Sequence, residues 1–335
     1  MPKVPDYRAP AWLPGAHLQT IWPAVIAPRP AIDYRRERWD TPDGDFIDVD
    51  FAAPLNCDAA PAAPAAGADR RPWLVLFHGL EGSSASHYAL AMMAQAHRRG
   101  WHAAVPHFRG CSDEVNRLPR AYHSGDSEEI DWILRRFKAS LAPDVPLYAA
   151  GVSLGGNALL KWLGERGAQA GATVAAAAAI SPPQDLQAGA QALSRGFNRQ
   201  VYMASFLKTL KSKSLAKLER FPGLFDRHSM LSARNFFEFD DVVTAPLHGF
   251  ADCYDYWSQS SSRQFLARIE VPTLVINARN DPFLPPGALA DPRAVSSAVR
   301  LEYPDQGGHA GFLAGSFPGR LDWLPQRALH FFDHG

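Results

Sequence analysis

Gly151-Val152-Ser153-Leu154-Gly155 lies between an apolar run that reads as a buried strand, 147–152, and one that reads as a helix, 154–164. Gly-x-Ser-x-Gly alone is a weak pattern. With a strand before it and a helix after it, the pattern describes the sharp turn that lifts a nucleophilic serine clear of a sheet. The flanking glycines leave room for that turn. Ser153 is therefore the first candidate for a catalytic residue.

A serine hydroxyl attacks only when a base takes its proton, so a carboxylate and then a histidine are expected further along the chain. Residues 271–278 (VPTLVINA) read as a β-branched strand that runs out into Asn280-Asp281-Pro282-Phe283. A carboxylate just past a strand's C-terminal end is where open α/β sheets place working groups. The next strand, 299–303, is followed by Gly307-Gly308-His309-Ala310-Gly311-Phe312, whose glycines let the chain bring His309 close to other backbone. Asp281 and His309 thus complete a candidate triad. Asp185, one strand earlier, is the rival acid, and Asp305 reads as a turn cap. The tetrahedral intermediate needs two backbone donors. Leu154 follows the nucleophile, and Leu80 lies in the loop His78-Gly79-Leu80-Glu81-Gly82 after the strand 73–77.

The other eleven of the 12 histidines precede the serine, fall in the middle of the chain or lie in the last helix, so structural or substrate-contacting roles are expected for them. No HExxH and no C-x-x-C is read, and neither a metal nor a cofactor is expected.

Around this centre, 34–39 and 46–51 flank Pro42-Asp43-Gly44 as a hairpin. Residues 52–69, rich in Ala and Pro, read as a low-complexity surface loop. Strands at 73–77, 102–108 and 147–152 alternate with helices at 86–99 and 126–138, the pattern of a mostly parallel sheet with helices on both faces. Residues 174–180 (VAAAAAI) read as a central strand. After Ser181-Pro182-Pro183 the alternation stops. The expected organisation is an α/β core in two parts, 1–182 and 263–335, interrupted by a helical cap at 183–262. Within the cap, Lys208, Lys211, Lys213, Lys217 and Arg220 read as a solvated helix face or, alternatively, an anionic head-group contact. Phe236, Phe237, Phe239, Phe250, Tyr254, Tyr256 and Trp257 read mostly as core, with a few lining an acyl pocket.

The chain resembles the YheT-like branch of the α/β-hydrolase superfamily, whose members include fatty-acyl ester hydrolases and alcohol acyltransferases. The resemblance is carried by 12–20 (WLPGAHLQT), 78–84, Phe108 to Ser112 with Asn116 and 122–126 (YHSGD), 151–157, Phe239-Asp240-Asp241 with Thr244 and 247–250 (LHGF), 280–283 and 307–312. It implies a triad of Ser153, Asp281 and His309. The chain departs from the family at Asn280, where a second aspartate is usual, and at Asp113-Glu114-Val115, where a Gly-Glu-Pro turn is usual.

A length of 335 residues, 47% of them apolar, suits one large α/β domain with an insertion. Lys+Arg and Asp+Glu balance at 34 each, a net charge with no footprint for a nucleic acid or an anionic membrane. The 3 cysteines, Cys57, Cys111 and Cys253, show no disulfide spacing and suit a reducing compartment. Without a secretory signal or an apolar run of membrane-spanning length, a soluble cytoplasmic enzyme is expected. Trp12, Ile21, Trp22, Val25 and Ile26 are expected to pack on the domain's own surface, with lipid contact as the alternative. The expected substrate is a small-molecule acyl ester, cleaved through an acyl-Ser153 intermediate. Resolution of that intermediate by an alcohol instead of water, an acyltransferase, uses the same residues. A non-catalytic binder on this fold would ordinarily lack a triad member, and all three are here. The sequence sets no oligomeric state.

Overall fold

A computed structural model describes residues 4–52 and 69–334. The loop read at 52–69 lies, but for its two ends, outside the described residues, as does Cys57. Eight strands form one sheet: β1 Tyr34–Asp40, β2 Phe46–Ala52, β3 Trp73–Phe77, β4 His102–Pro106, β5 Leu147–Val152, β6 Ala176–Ile180, β7 Thr273–Ile276 and β8 Val299–Glu302. Their spatial order is β1-β2-β4-β3-β5-β6-β7-β8. β1 and β2 form the expected hairpin, β2 pairs antiparallel with β4, and every later pairing is parallel.

The period of two along the central strands sends alternate side chains to opposite layers. Ala149 joins a cluster with Ile130 and Phe137 of α3 (Ser127–Ser140) and Leu159 and Leu163 of α4 (Leu154–Arg166). Ala150, its neighbour, joins Met92 and Met93 of α2 (His87–Arg98) and Leu324 and Ala328 of the last helix, Trp323–His334. Helices therefore cover both faces. The alanines of β6 divide in the same way, Ala177 and Ala179 on one side, Ala176 and Ala178 on the other.

Between β6 and β7 the chain is helical, with α5 (Leu186–Leu193) and helices Ala204–Arg220, Arg227–Ser232 and Cys253–Ser260. Met203, Met230, Phe239 and Val243 form a separate apolar cluster that takes in Phe283 and Leu284 from the loop after β7. This segment is thereby fixed to the loop that carries Asp281.

The solvated face expected for the basic run is not what forms. Lys211 Nζ donates to Leu231 O at 2.8 Å, Lys213 Nζ to Glu81 Oε1 at 2.8 Å, and Lys217 Nζ to the carbonyls of Asn116, Leu118 and Arg120. Lys213 and Lys217 thus tie the helix to core loops, as does Arg220, which donates to Asn116 O at 3.1 Å, while Lys211 ties it to the cap's own chain. Lys208 and Arg220 are the exposed members of the run. The departing residues Asp113 and Glu114 pair with Arg36 and Arg38 of β1.

Candidate active site

The residues singled out from the sequence converge on the C-terminal ends of the parallel strands. Ser153, between β5 and α4, has φ 52° and ψ −120°, a region that non-glycine residues seldom occupy. Its N–H donates to Ile180 O at 2.8 Å, which ties the elbow to β6. The other described non-glycine residues at positive φ are Glu81, Ser181, Ala310 and Phe312. All lie in the loops around this same sheet edge. Backbone strain of this kind persists only where surrounding contacts hold it, and it gathers at functional sites.

His309 Nδ1 lies 2.8 Å from Asp281 Oδ2. The other carboxylate oxygen, Oδ1, accepts the Phe283 N–H at 2.8 Å. The Phe283 ring stacks on the imidazole, centroids 4.1 Å apart. The Asp281 side chain has no solvent exposure. The aspartate therefore fixes the imidazole orientation and leaves Nε2 for the cavity side. Neither rival acid is near. Asp185 caps α5, accepting from Ala188 N at 2.9 Å, and Asp305 is 93% exposed beside Arg279.

Ser153, His309, Leu80 and Leu154 line one cavity of about 120 Å³. Around Leu80 the neighbouring amides are engaged: Gly79 N–H donates to Tyr88 Oη at 2.9 Å, Glu81 N–H to Tyr122 Oη at 2.9 Å and Gly82 N–H to Gly79 O at 2.9 Å. Among the described residues the Leu80 N–H has no partner, and Leu154, first in α4, has no carbonyl a turn before it to bond. Both donors are thus available at the cavity. The rest of the wall is mostly apolar, with Leu193, Phe206, Phe236, Phe239 and Trp257 prominent and His123, Ser124 and Thr244 among the polar exceptions. Of the aromatic run, Phe236, Phe239, Tyr256 and Trp257 line the cavity, while Phe237 packs on Tyr254 and Trp257 behind it. One carboxyl interrupts the apolar wall. Asp240 accepts from Thr244 Oγ1 at 2.6 Å and Trp257 Nε1 at 2.9 Å, yet burial pushes it up to about 6.

No local pattern in the sequence signals what holds the His309 loop. α1 (Ala16–Val25) does so with two buried polar residues. Thr20 Oγ1 accepts the His309 N–H at 2.9 Å, and Gln19 Oε1 accepts the Gly307 N–H at 2.9 Å and the Asn280 amide at 2.8 Å. Asn280 Oδ1 accepts from Gly308 N at 3.1 Å, so this one side chain donates on one side and accepts on the other. A carboxylate there has no proton for Gln19. A Cβ on Gly311 would lie 1.9 Å from Gln19 O, which is the close backbone approach those glycines permit. Ser181 Oγ and His87 Nε2 complete the support, bonding Ala310 N at 3.0 Å and Ala310 O at 3.0 Å. The only available signal was the quoted block 12–20, whose Gln19 and Thr20 had no role in the reading from residues.

Residues 72–316 match the family model for the alpha/beta hydrolase fold. The chain is 38% identical over 313 residues to "Putative esterase YheT" of Escherichia coli (strain K12), covering 93% of this chain and 88% of that one. It is 30% identical over 319 residues to Phospholipase ABHD3 of Mus musculus, covering 95% and 76%. The esterase Pf2001 of Pyrococcus furiosus shares the fold with a TM-score of 0.53 at 14% identity, covering 90% of this chain and 92% of that one. With the elbow, the sheet order and these matches together, the chain belongs to the α/β-hydrolase family and, within it, to the YheT-like branch.

Proposed function

We propose that the protein is a serine esterase that cleaves carboxylic esters of short- to medium-chain acyl groups, with Ser153 as nucleophile, His309 as general base and acid, and Asp281 as the residue that orients and stabilises the imidazolium. The observation that carries this reading is the His309–Asp281 pair opening onto the same apolar cavity as the strained Ser153. As Ser153 Oγ attacks the ester carbonyl carbon, His309 Nε2 takes its proton. The developing oxyanion accepts from the Leu80 and Leu154 N–H groups. Collapse breaks the bond to the alcohol oxygen, which leaves with the proton from His309. Water then repeats the sequence on the acyl-serine, releasing the acid and restoring Ser153. Residues 183–262 act as the cap over 1–182 and 263–335, walling the acyl side of the cavity.

The test is a panel of p-nitrophenyl and alkyl esters from acetyl to dodecanoyl, run on wild type and Ser153→Ala, together with a serine-directed phosphonate. Turnover should fall about 10⁴-fold or more in the variant, as triad knockouts do, and the phosphonate should label Ser153. Labelling at another serine with Ser153→Ala still active sinks the assignment. Running the panel with added ethanol separates the two fates of the acyl-enzyme: ethyl ester formed at the expense of free acid would make the protein an acyltransferase.

A further inference from the structure

α1 is inside out. A surface helix normally turns its apolar stripe to the core. Here the buried residues are Gln19, Thr20 and Pro23, while Leu18 is 48% and Val25 70% exposed, and Ile26, just past the helix, is 54% exposed. The polar face is committed inward because it holds the His309 loop. Leu18, Trp22 and Val25 stand at i, i+4 and i+7, one outward stripe. Trp22 packs with Trp12 and with Phe317, itself 69% exposed. Beside α1, Phe197, whose ring lies 4.3 Å from that of His17, and Val201 are 45% and 38% exposed. Val25 and Val201 line a second opening, of about 430 Å³, that reaches Ser153 and His309 from outside. The exposed apolar residues therefore border a way into the site at Val25 and Val201.

Glu81 lines this opening but is paired with Lys213, and the two chain segments beside the opening carry positive charge. Residues 9–32 contain Arg29 and no Asp or Glu, and 186–218 contain six Lys and Arg and no Asp or Glu. Lys213 and Lys217 are tied to core loops and Lys211 to the cap, and Arg195, Arg199 and Lys208 are exposed. No helix among the described residues is long and apolar enough to cross a membrane.

We propose that this face docks on an anionic lipid surface, with Leu18, Trp22, Val25, Ile26, Phe197 and Val201 entering the interface and Arg29, Arg195 and Arg199 meeting the head groups. An apolar ester then passes from lipid to Ser153 without crossing water. A protein partner or a second copy seated on the same face would close the opening it borders, whereas a lipid surface supplies both the apolar contact and the substrate. The delivery of substrate rests on the esterase reading, but the docking does not.

Docking is tested by cosedimentation of Ser153→Ala protein with phosphatidylcholine vesicles made with and without phosphatidylglycerol, following the tryptophan emission. Binding is expected on the anionic vesicles, with a blue shift and weakening in high salt. The double variant Leu18→Ser/Ile26→Ser, in which neither residue lines the opening, should bind at least about tenfold more weakly while hydrolysing a soluble acetate ester as the wild type does. Phe197→Ser should weaken vesicle binding in the same direction. Absence of binding to either vesicle, or equal binding by the double variant, overturns the proposal. So does a wild-type dimer that the double variant disperses, since the face would then belong to a second copy. If no ester is turned over but vesicles still bind, only the esterase reading fails.

Discussion

Replacing Gly155 by alanine tests how the elbow is held. In an open helix the change should stabilise by about 1 kcal/mol, because glycine has more backbone freedom to lose. At this position a Cβ would lie 2.5 Å from the carbonyl oxygens of both Phe77 and His78. Carbon and carbonyl oxygen do not settle closer than about 3.3 Å, so each must yield by about 0.8 Å. Neither is the end of a flexible side chain: they close β3 and open the loop that bears Leu80. Overpacking against rigid neighbours costs about 1–3 kcal/mol, and two backbone contacts belong at the upper end. Set against the helix gain, the net loss is about 2 kcal/mol. Urea unfolding should show it as a lower midpoint at unchanged slope. A shift of that size at the Leu80 amide also misplaces one oxyanion donor, and kcat should fall about 10²-fold. Gly171→Ala is the control, since its nearest atom is Val271 Cγ2 at 4.0 Å, and it should be neutral. A Gly155→Ala protein as stable as wild type and fully active would show that the contact between α4 and the end of β3 does not position the elbow.

Asp281→Asn should fold normally and lose roughly 10³- to 10⁴-fold in kcat through the wrong imidazole tautomer, while Asp185→Asn loses only part of a helix cap; the reverse ranking in steady-state kinetics moves the acid to the earlier strand. Asp240, pushed up to about 6 from 3.8, keeps a proton in the folded protein that the unfolded chain releases between about pH 4 and pH 6, so stability should fall by about 2–3 kcal/mol as pH rises through that window. Asp240→Asn should flatten that slope in urea midpoints taken at pH 4 and pH 7, and parallel curves for the two proteins refute it. Each methylene buried against Leu193, Phe206 and Phe236 is worth about 0.8 kcal/mol before entropy losses, so kcat/KM should climb up to about fourfold per methylene from acetyl esters until the cavity is full; equal kcat/KM for acetyl and octanoyl esters of one alcohol removes the acyl pocket.

The parts of this protein legible in its sequence are those where neighbours along the chain settle the outcome. β-branched and alanine runs bounded by glycine and proline marked the strands, and a strand followed at once by Gly-x-Ser-x-Gly can put Ser153 in few places. Asp281 and His309 were found because each follows a strand of one parallel sheet, so that 28 residues of separation still bring them to one edge. α1 escaped the same reasoning. Its residues read only as an apolar arm, and the rule that apolar stripes turn inward gives the wrong face, because Gln19 and Thr20 are held by amides 288 and 289 residues away and no local pattern announces such partners. The packing expected for Trp12 and Trp22 does form, whereas Val25 and Ile26 remain outside it. The basic run fails for a related reason: lysine is read as solvated from its charge, yet Lys217 finds three carbonyls on a core loop a hundred residues earlier, and burial pushes it down to about 8. In each case a distant polar partner decided which way the element faced. At α1 that partner is the histidine loop of the candidate site, so the residues that hold the loop in place are the ones that turn Leu18 and Val25 outward.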